Sequence, residues 1–342
     1  MPKTIKNVFF DKLSYIYFLD AHKRAKKSKA NKNEVLLFEL DLESNIINLM
    51  REIKQGKYKL GKYREFVVKY PKERLIKSLP YKDRIVHQWY VEEFIKPYII
   101  PRFIIDSYAC IENRGNHKAV LKLQKYMRIM KRKYGDYYVL KCDIKKFFYS
   151  IDNNILLKIL KKYISDSYLL NFTKTLLVSD NNSSIGIPIG NYTSQFFANI
   201  YLNELDHYLK EKVRVKYYIR YMDDFVLLLK DKKESLFMYK IIIKFLDEKL
   251  NLSLNKKSNY FPNKLGVDFC GYKIYETHIL VRKRCKKDMR RKINKWNKLF
   301  NSKKLNLKKV QLSFNSWKAH CSHANSYNLV KKMTSNLNFE IK

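Results

Sequence analysis

Two adjacent carboxylates stand between two apolar runs of this 342-residue chain. Asp223 and Asp224 follow the run at residues 216–221 and precede the run at 225–229, which predicts a strand–turn–strand hairpin. Aspartate is common in tight turns. However, two neighbouring carboxylates beside strands apolar enough to be central in a sheet repel each other and are costly to desolvate. A divalent cation removes both costs, so the pattern favours a metal site over a simple turn.

A third carboxylate, Asp143, ends another apolar run at residues 137–142. Its distance from the pair predicts two neighbouring strands joined by a long helical excursion. The residue could also cap the helix that follows it. Together with Asp223 and Asp224 it would complete a cluster that holds two Mg²⁺ ions roughly 3.5–4 Å apart, the arrangement for in-line nucleotidyl transfer.

The charge of the chain indicates a polyanionic partner. Lys and Arg number 71 against 32 Asp and Glu, a formal net charge of +39, which nucleic acid or an anionic membrane surface would compensate. No run approaches the roughly 20 apolar residues that span a bilayer, and the N-terminus lacks the apolar stretch of a secretory signal. The five cysteines are widely spread, which argues against a disulfide framework. We expect a cytoplasmic protein that contacts nucleic acid and no membrane.

Apolar periodicity predicts alternating strands and helices. Residues 66–70 and 74–76 are typical of a hairpin, Pro80 opens a helix, and Thr193 or Ser194 caps a later one. The order of elements predicts an α+β fold in which helices cover one face of a sheet, compatible with a split βαβ core.

A basic amphipathic helix is predicted near the C-terminus. Met289, Ile293, Trp296 and Phe300 recur at helical spacing, and Lys and Arg occupy the other faces. Such a helix suits a position along a phosphate backbone. Further on, the cluster at residues 320–323 contains two His and one Cys; it could grip a metal, but a packed or surface cluster is favoured.

The stretch Tyr221-Met222-Asp223-Asp224, with Asp143 upstream, resembles the palm of a reverse transcriptase. Further blocks agree in their order along the chain: residues 74–76 with 83–86, Phe147-Phe148, 185–195 and 266–272. The resemblance, which runs from about residue 63 to about 329, implies a right-hand polymerase with fingers, a palm and a helical thumb. It implies N-terminal helices and fingers at 1–136, a palm with part of the fingers at 137–275 and a thumb at 276–342.

Within that family, the chain looks closest to the reverse transcriptases of diversity-generating retroelements. The string at 189–195 distinguishes this subgroup, and the blocks at 106–110, 115–117 and 323–329 also resemble it. Many other reverse transcriptases carry Gln at the position of Ile189. An apolar side chain cannot make the hydrogen bond that Gln offers, so the resemblance implies lower base selectivity, especially opposite template adenine. It also implies a small basic accessory variability protein as a partner, besides an RNA template and a DNA or RNA primer.

The resemblance implies roles for individual residues. Catalysis and the binding of two Mg²⁺ ions fall to Asp143, Asp223 and Asp224. The incoming dNTP is expected to contact Arg74, Phe148, Ile189, Gly190 and Gln195. Template and primer are expected to contact Arg84, Tyr221, Met222 and Gly271, although Arg84 could support the fingers fold instead. A ring at Phe148 would exclude a 2′-hydroxyl, whereas Phe147 is expected in the core.

Three other readings remain open. The chain could be a defence-associated or other bacterial reverse transcriptase, which differs in biology but not in chemistry. It could be a non-catalytic RNA-binding protein with the shape of a polymerase, although the intact carboxylates and Phe148 argue against this. A basic membrane-surface protein would need amphipathic exposure that is not apparent outside the predicted thumb helix.

Overall fold

The computed structural model describes residues 4–70, 72–177 and 184–339. Its helices are α1 (Tyr15–Lys26), α2 (Asn33–Glu39), α3 (Leu42–Lys54), α4 (Tyr81–Tyr90), α5 (Lys96–Tyr98), α6 (Asn116–Tyr134), α7 (Phe147–Ser150), α8 (Asn153–Lys161), α9 (Ser167–Leu177), α10 (Tyr192–His207), α11 (Lys232–Leu250), α12 (Lys283–Asn301), α13 (Leu307–Cys321) and α14 (Tyr327–Ser335). Its strands are β1 (Arg64–Val68), β2 (Arg74–Ser78), β3 (Tyr138–Asp143), β4 (Tyr218–Tyr221), β5 (Asp224–Leu229), β6 (Asn259–Pro262), β7 (Val267–Phe269), β8 (Tyr272–Ile274) and β9 (Ile279–Val281). This mixture confirms the α+β class.

The chain divides into two compact units, each built from three separate stretches. The first unit comprises Met1–Ile111, Asp143–Val215 and Ile241–Lys256. The second comprises Glu112–Cys142, Lys216–Lys240 and Lys257–Lys342. The division into consecutive segments 1–136, 137–275 and 276–342 stays a prediction.

A four-stranded sheet in the order β4-β5-β3-β6 lies at the centre of the second unit. Strands β4 and β5 are antiparallel, with Tyr221 opposite Asp224, and β3 and β6 are antiparallel, with Tyr138 opposite Pro262. Every residue from 225 to 229 is buried, so both faces of β5 are covered, because consecutive side chains of a strand point to opposite faces. The predicted hairpin and the predicted strand ending at Asp143 are both confirmed.

The first unit is packed around an aromatic cluster on α4. Trp89 is fully buried, and the rings of Phe9, Phe18, Phe94 and Phe172 lie 4.8 to 5.9 Å from its ring. Its indole N–H donates to the carbonyl of Lys12 at 2.7 Å, so the buried polar group is satisfied. The helix predicted after Pro80 therefore forms, with its apolar stripe inside.

The N-terminal helices hold α4 through polar contacts. Arg84 makes a two-pronged ion pair with Glu34 of α2, with N–O distances of 2.7 and 3.3 Å. The Tyr81 hydroxyl lies 3.0 Å from Nδ1 of His22 on α1, and His22 Nε2 lies 3.1 Å from the carboxylate of Glu39. The N-terminal helices, which carry no functional signal in the sequence, thus support the helix that follows the β1–β2 hairpin through His22, Glu34 and Glu39.

Helices α12, α13 and α14 share an apolar core in the second unit. Met289, Ile293 and Trp296 are buried in that core, as the periodicity predicts. Phe300 is not, because it is 40% exposed in the last turn of α12, where it contacts the ring of Phe339 at 5.1 Å. The predicted stripe is therefore one residue too long.

Helix α10 begins two or three residues before the expected position. Asn191 is its N-cap, rather than Thr193 or Ser194. Thr193 is buried instead and its hydroxyl lies 2.8 Å from Nδ1 of His87 on α4. Burial lowers the pKa of His87 to about 3, because no neighbouring charge offsets the cost of desolvating an imidazolium.

This burial predicts a loss of stability in acid. Since the folded pKa of His87 lies below the ordinary value of 6.5, the unfolded chain binds the extra proton first, and stability falls as pH drops below about 6.5. We expect this one group to remove about 2 kcal/mol between pH 7 and pH 5. His87→Gln retains a hydrogen-bonding group but does not titrate. Urea unfolding at both pH values should therefore show a smaller pH-dependent loss for His87→Gln than for the parent; equal losses would contradict the assignment.

Candidate active site

The two adjacent aspartates lie at the turn of the β4–β5 hairpin. Met222 has a φ of +57°, a left-handed conformation that is uncommon for a side chain of this size. Arg220, which is fully buried, donates from Nη1 to the Met222 carbonyl at 2.9 Å. A charge-assisted hydrogen bond of this kind stabilises the strained turn. Tyr221, Met222, Asp223 and Asp224 are all half-buried, so the hairpin presents the pair at the edge of the core.

Asp224 is held by Lys141, which no sequence motif predicts at this position. Lys141 of β3 forms an ion pair with the Asp224 carboxylate. The two side chains are 21% and 26% exposed, so water screens the attraction less than on an open surface. Burial, and then the negative charge of Asp224, raise the pKa of the nearby Cys270 thiol. The turn between β7 and β8 thus lies within electrostatic reach of Asp224.

Asp143 is the last residue of β3 and is oriented by Asn255. The Asn255 amide group donates to Oδ2 of Asp143 at 3.0 Å, and the Asn255 backbone N–H donates to the Asp143 carbonyl at 2.7 Å. Side chains alternate across a strand, so Asp143 shares a face of β3 with Lys141. Asn255 was not expected from the sequence, because only the fold brings it beside β3.

The three carboxylates have the donor atoms that suit magnesium, but the structure does not assemble them into a ligand set. Carboxylate oxygens are the ligands that Mg²⁺ prefers, and Asp143, Asp223 and Asp224 supply them. Across residues 4–70, 72–177 and 184–339, however, no group of three or more His, Cys, Asp or Glu residues is arranged to hold a metal ion. The three-carboxylate metal site therefore stays a prediction. Asp224 has a protein cation, Lys141, as its counter-charge.

The block at residues 185–191 lies in the first unit and lines the β1–β2 hairpin. The Ile189 carbonyl accepts from the Lys77 N–H at 2.9 Å. A Cβ at Gly190, whose φ is +136°, would lie 2.2 Å from the Lys77 carbonyl oxygen. Asn191 donates to the Tyr63 hydroxyl at 2.7 Å. Glycine is therefore required at 190 by the close approach of β2, independently of any nucleotide.

Phe148 and Phe147 differ in exposure as expected. Phe147 is 3% exposed, whereas Phe148 is half-buried. The Phe148 carbonyl accepts from the Ile187 N–H at 2.8 Å. The first unit thus brings Phe148 beside the block that carries Ile189 and Gly190. These three residues are among the five expected at the dNTP.

Arg74 and Gln195, which were expected at the dNTP, are exposed, whereas Arg84, which was expected at the template, makes contacts within the fold. Arg74 is exposed at the start of β2, and Gln195 is exposed on α10, where its side-chain oxygen lies 3.1 Å from Cys110 Sγ. Arg84, expected at the template, instead uses its guanidinium within the first unit: besides Glu34, it donates to the Leu79 carbonyl at 2.8 Å and to the Ser78 hydroxyl at 3.0 Å. These contacts favour the alternative role for Arg84, support of the fingers fold.

Gly271 lies in the β7–β8 turn against a histidine. Its φ is +89°, and a Cβ there would lie 3.2 Å from Cε1 of His320. His320 stacks on Tyr272 with ring centroids 4.5 Å apart, and His323 stacks on His117 at 3.5 Å. The cluster at 320–323 is therefore a packed one, as favoured from the sequence. The ring contact between His117 and His323 brings the blocks at 115–117 and 323–329 together within the second unit.

Two further observations bear on possible partners. One face of α12 carries the buried residues Met289, Ile293 and Trp296, and most of its other positions are Lys or Arg. Such a helix offers an electrostatic surface for a phosphate backbone. In the described part of the chain, every helix is too short or too polar to span a bilayer.

Comparisons with known proteins show to which family the region around these residues is similar. A sequence profile described as reverse transcriptase (RNA-dependent DNA polymerase) matches residues 68–274, more than half of the chain. A putative COX1/OXI3 intron 2 protein from Saccharomyces cerevisiae (strain ATCC 204508 / S288c) is 31% identical over 102 residues. That match covers 28% of this chain but 11% of the yeast protein, so the chain spans only a small part of this relative's length.

Two solved structures of telomerase show a weaker likeness. The apo telomerase from Candida Tropicalis, truncated from the C-terminal domain, has a TM-score of 0.47 and 15% identity, over 70% of this chain and 60% of that chain. The telomerase from Candida albicans in complex with a TWJ fragment of telomeric RNA has a TM-score of 0.45 and 14% identity, over 73% and 50%. Both scores are below 0.5, so neither likeness bears on the function of this chain.

The contact between Gly190 and β2 can be tested by adding one methyl group. Gly190→Ala should lower the free energy of unfolding by about 2–4 kcal/mol, because the new Cβ meets a backbone carbonyl that cannot move alone. Gly56→Ala is the matched control, since Gly56 also has a positive φ, +67°, but nothing lies within 4 Å of its Cβ position. The control should lose only about 1 kcal/mol. Similar losses in urea unfolding would show that φ, rather than the close approach, requires glycine at 190.

Proposed function

Because the chain belongs to the reverse transcriptase family and has its α+β polymerase fold, we propose that it is an RNA-directed DNA polymerase. The observation that carries the proposal is the β4–β5 hairpin, which lies inside the matched region and presents Asp223 and Asp224 next to β3. Strand β3 ends in Asp143. Three carboxylates on adjacent strands are the residue types that two-metal nucleotidyl transfer needs.

In this proposal Asp143, Asp223 and Asp224 hold magnesium. When bound, the metal would neutralise charge on the phosphates and favour the ionised form of the primer 3′-hydroxyl. Asn255 fixes the orientation of Asp143, and Arg220 fixes the turn that carries Asp223. Arg74, exposed at the start of β2, offers a guanidinium for the triphosphate, and the half-buried Phe148 ring would contact the sugar and disfavour a ribonucleotide.

The activity is tested by primer extension on an RNA template with dNTPs and Mg²⁺. Asp223→Asn keeps the size of the side chain but removes the charge, so we expect synthesis to fall on the order of 10³-fold or more. Asp136→Asn is a suitable control, because Asp136 is a surface residue whose side chain is 84% exposed; its activity should equal that of the parent. A parent protein that binds RNA but makes no DNA on any template would instead favour a non-catalytic RNA-binding role.

We further propose that the enzyme serves the error-prone copying of a diversity-generating retroelement, in the cytoplasm and with a small basic accessory protein. The support is the residue string at 189–195, in which an apolar side chain occupies the position of the usual Gln. Ile189 is half-buried, and its backbone is tied to Lys77. Its position is therefore held by the fold, and its side chain offers no hydrogen bond to a base or sugar.

Replacing the Ile189 side chain tests the proposal of error-prone copying. Ile189→Gln restores a polar group, so misincorporation opposite template adenine should fall by about threefold or more, while errors opposite other bases change little. Sequencing of cDNA made on one template by the parent and the variant measures this. Ile189→Val is the control, since it alters packing without adding a hydrogen bond. Equal adenine errors in the parent and Ile189→Gln would reject a selectivity role for this side chain.

A further inference from the structure

Lys141 is a positive charge at the place where the proposed function needs a metal cation. Its ammonium group pairs with the Asp224 carboxylate, and its position in β3 is two residues before Asp143. Burial of β3 alternates at this end: Cys142 is buried, whereas Lys141 and Asp143 are half-buried on the other face. The lysine thus belongs to the same face as one proposed metal ligand and contacts another.

The ion pair differs from the surface pairs of the chain. For Lys131 and Asp136, the side chains are 49% and 84% exposed, and water screens such a pair almost completely. For Lys141 and Asp224 the exposed fractions are 21% and 26%, so the lysine offsets a larger part of the cost of placing a carboxylate beside buried strands. Removal of this lysine would take that compensation away from a half-buried negative charge next to a strained turn.

The same charge opposes a divalent cation. An ammonium group and a metal ion that share a carboxylate repel each other, and the repulsion is strong at short range in a partly buried site. The lysine side chain has a flexible four-carbon stem, so its ammonium group can turn to solvent while the stem stays on the sheet. The two cations can therefore alternate on Asp224.

We propose that Lys141 is an exchangeable counter-ion of the active site: it holds Asp224 when no divalent cation is bound and gives up that carboxylate when one binds. The inference rests on the proposed function, because it assumes that Asp224 takes part in metal binding. It assigns Lys141 a positioning role. The lysine stabilises the metal-free hairpin and weakens metal binding, so the Asp224 carboxylate has a cationic partner in both states.

The test uses Mn²⁺ alone as the probe, without nucleotide or nucleic acid. Lys141→Met keeps the aliphatic stem and removes the charge, so it should bind Mn²⁺ about fivefold more tightly than the parent when free Mn²⁺ is followed by electron paramagnetic resonance. Lys141→Arg keeps a cation and should bind with nearly the affinity of the parent. Lys131→Met removes a surface lysine of the same unit and should change nothing. Equal or weaker Mn²⁺ binding by Lys141→Met overturns the inference.

Thermal unfolding supplies a second readout. In EDTA, Lys141→Met should melt about 2 °C below the parent, because Asp224 has lost its ion pair with Lys141. In saturating Mn²⁺ this gap should close. A gap that persists in Mn²⁺ would mean that Lys141 is only a structural ion pair.

Asp223→Asn separates failure of this inference from failure of the proposed function. If Asp223→Asn binds Mn²⁺ as the parent does, the carboxylates do not form the metal site and both proposals fall. If it loses binding while Lys141→Met equals the parent, the metal site stands and only the exchange is wrong.

Discussion

The constraint on which the rest depends is the placement of negative charge at the end of a buried sheet. Strand β5 is buried along residues 225–229, and its first residue is a carboxylate. The chain meets the electrostatic cost with Lys141, which pairs with Asp224, and supports the adjoining turn with buried Arg220. Both cations come from strands of the same sheet. The hairpin is therefore a charged feature that is stabilised by the strands beneath it.

A second constraint is steric and acts through the backbone of the block at 185–191. Its contacts with β2 are made by the Ile189 carbonyl and by the missing side chain of Gly190. Packing of the hairpin therefore explains the glycine, whereas a role of the Ile189 side chain in substrate choice stays a prediction. The main-chain hydrogen bond of Ile189 is thus separate from its side chain. This separation lets the side chain at 189 vary without loss of the hairpin contact.

The large positive charge serves two different purposes. Some of it is used within the fold, as in the pair between Arg84 and Glu34 that ties α2 to α4. The apolar stripe of α12 packs against α13 and α14. On its basic faces Arg284 and Arg291 pair with Asp288 and Lys292 donates to the Ser313 hydroxyl, but the nine Lys and Arg of this helix far outnumber its one acidic residue. Charge that is not needed for folding destabilises a compact chain through self-repulsion. Binding of nucleic acid would relieve that repulsion, as is expected of a member of a polymerase family.

The local sequence pattern was enough to predict the aspartate hairpin, the strand before Asp143, the helix after Pro80 and the buried stripe of α12. These features depend on periodic burial and turn chemistry, which residues close together in the sequence determine. The local pattern failed at Phe300 and at the N-cap of α10, where neighbours distant in sequence decide burial. It also missed Lys141 and Asn255, and it left the role of Arg84 open between the template and the fingers fold. A lysine inside a strand, or an asparagine after a helix, carries no local signal of its partner. Such pairings are created only when the chain brings separate strands and helices together, since electrostatic and hydrogen-bond partners are chosen by distance in space.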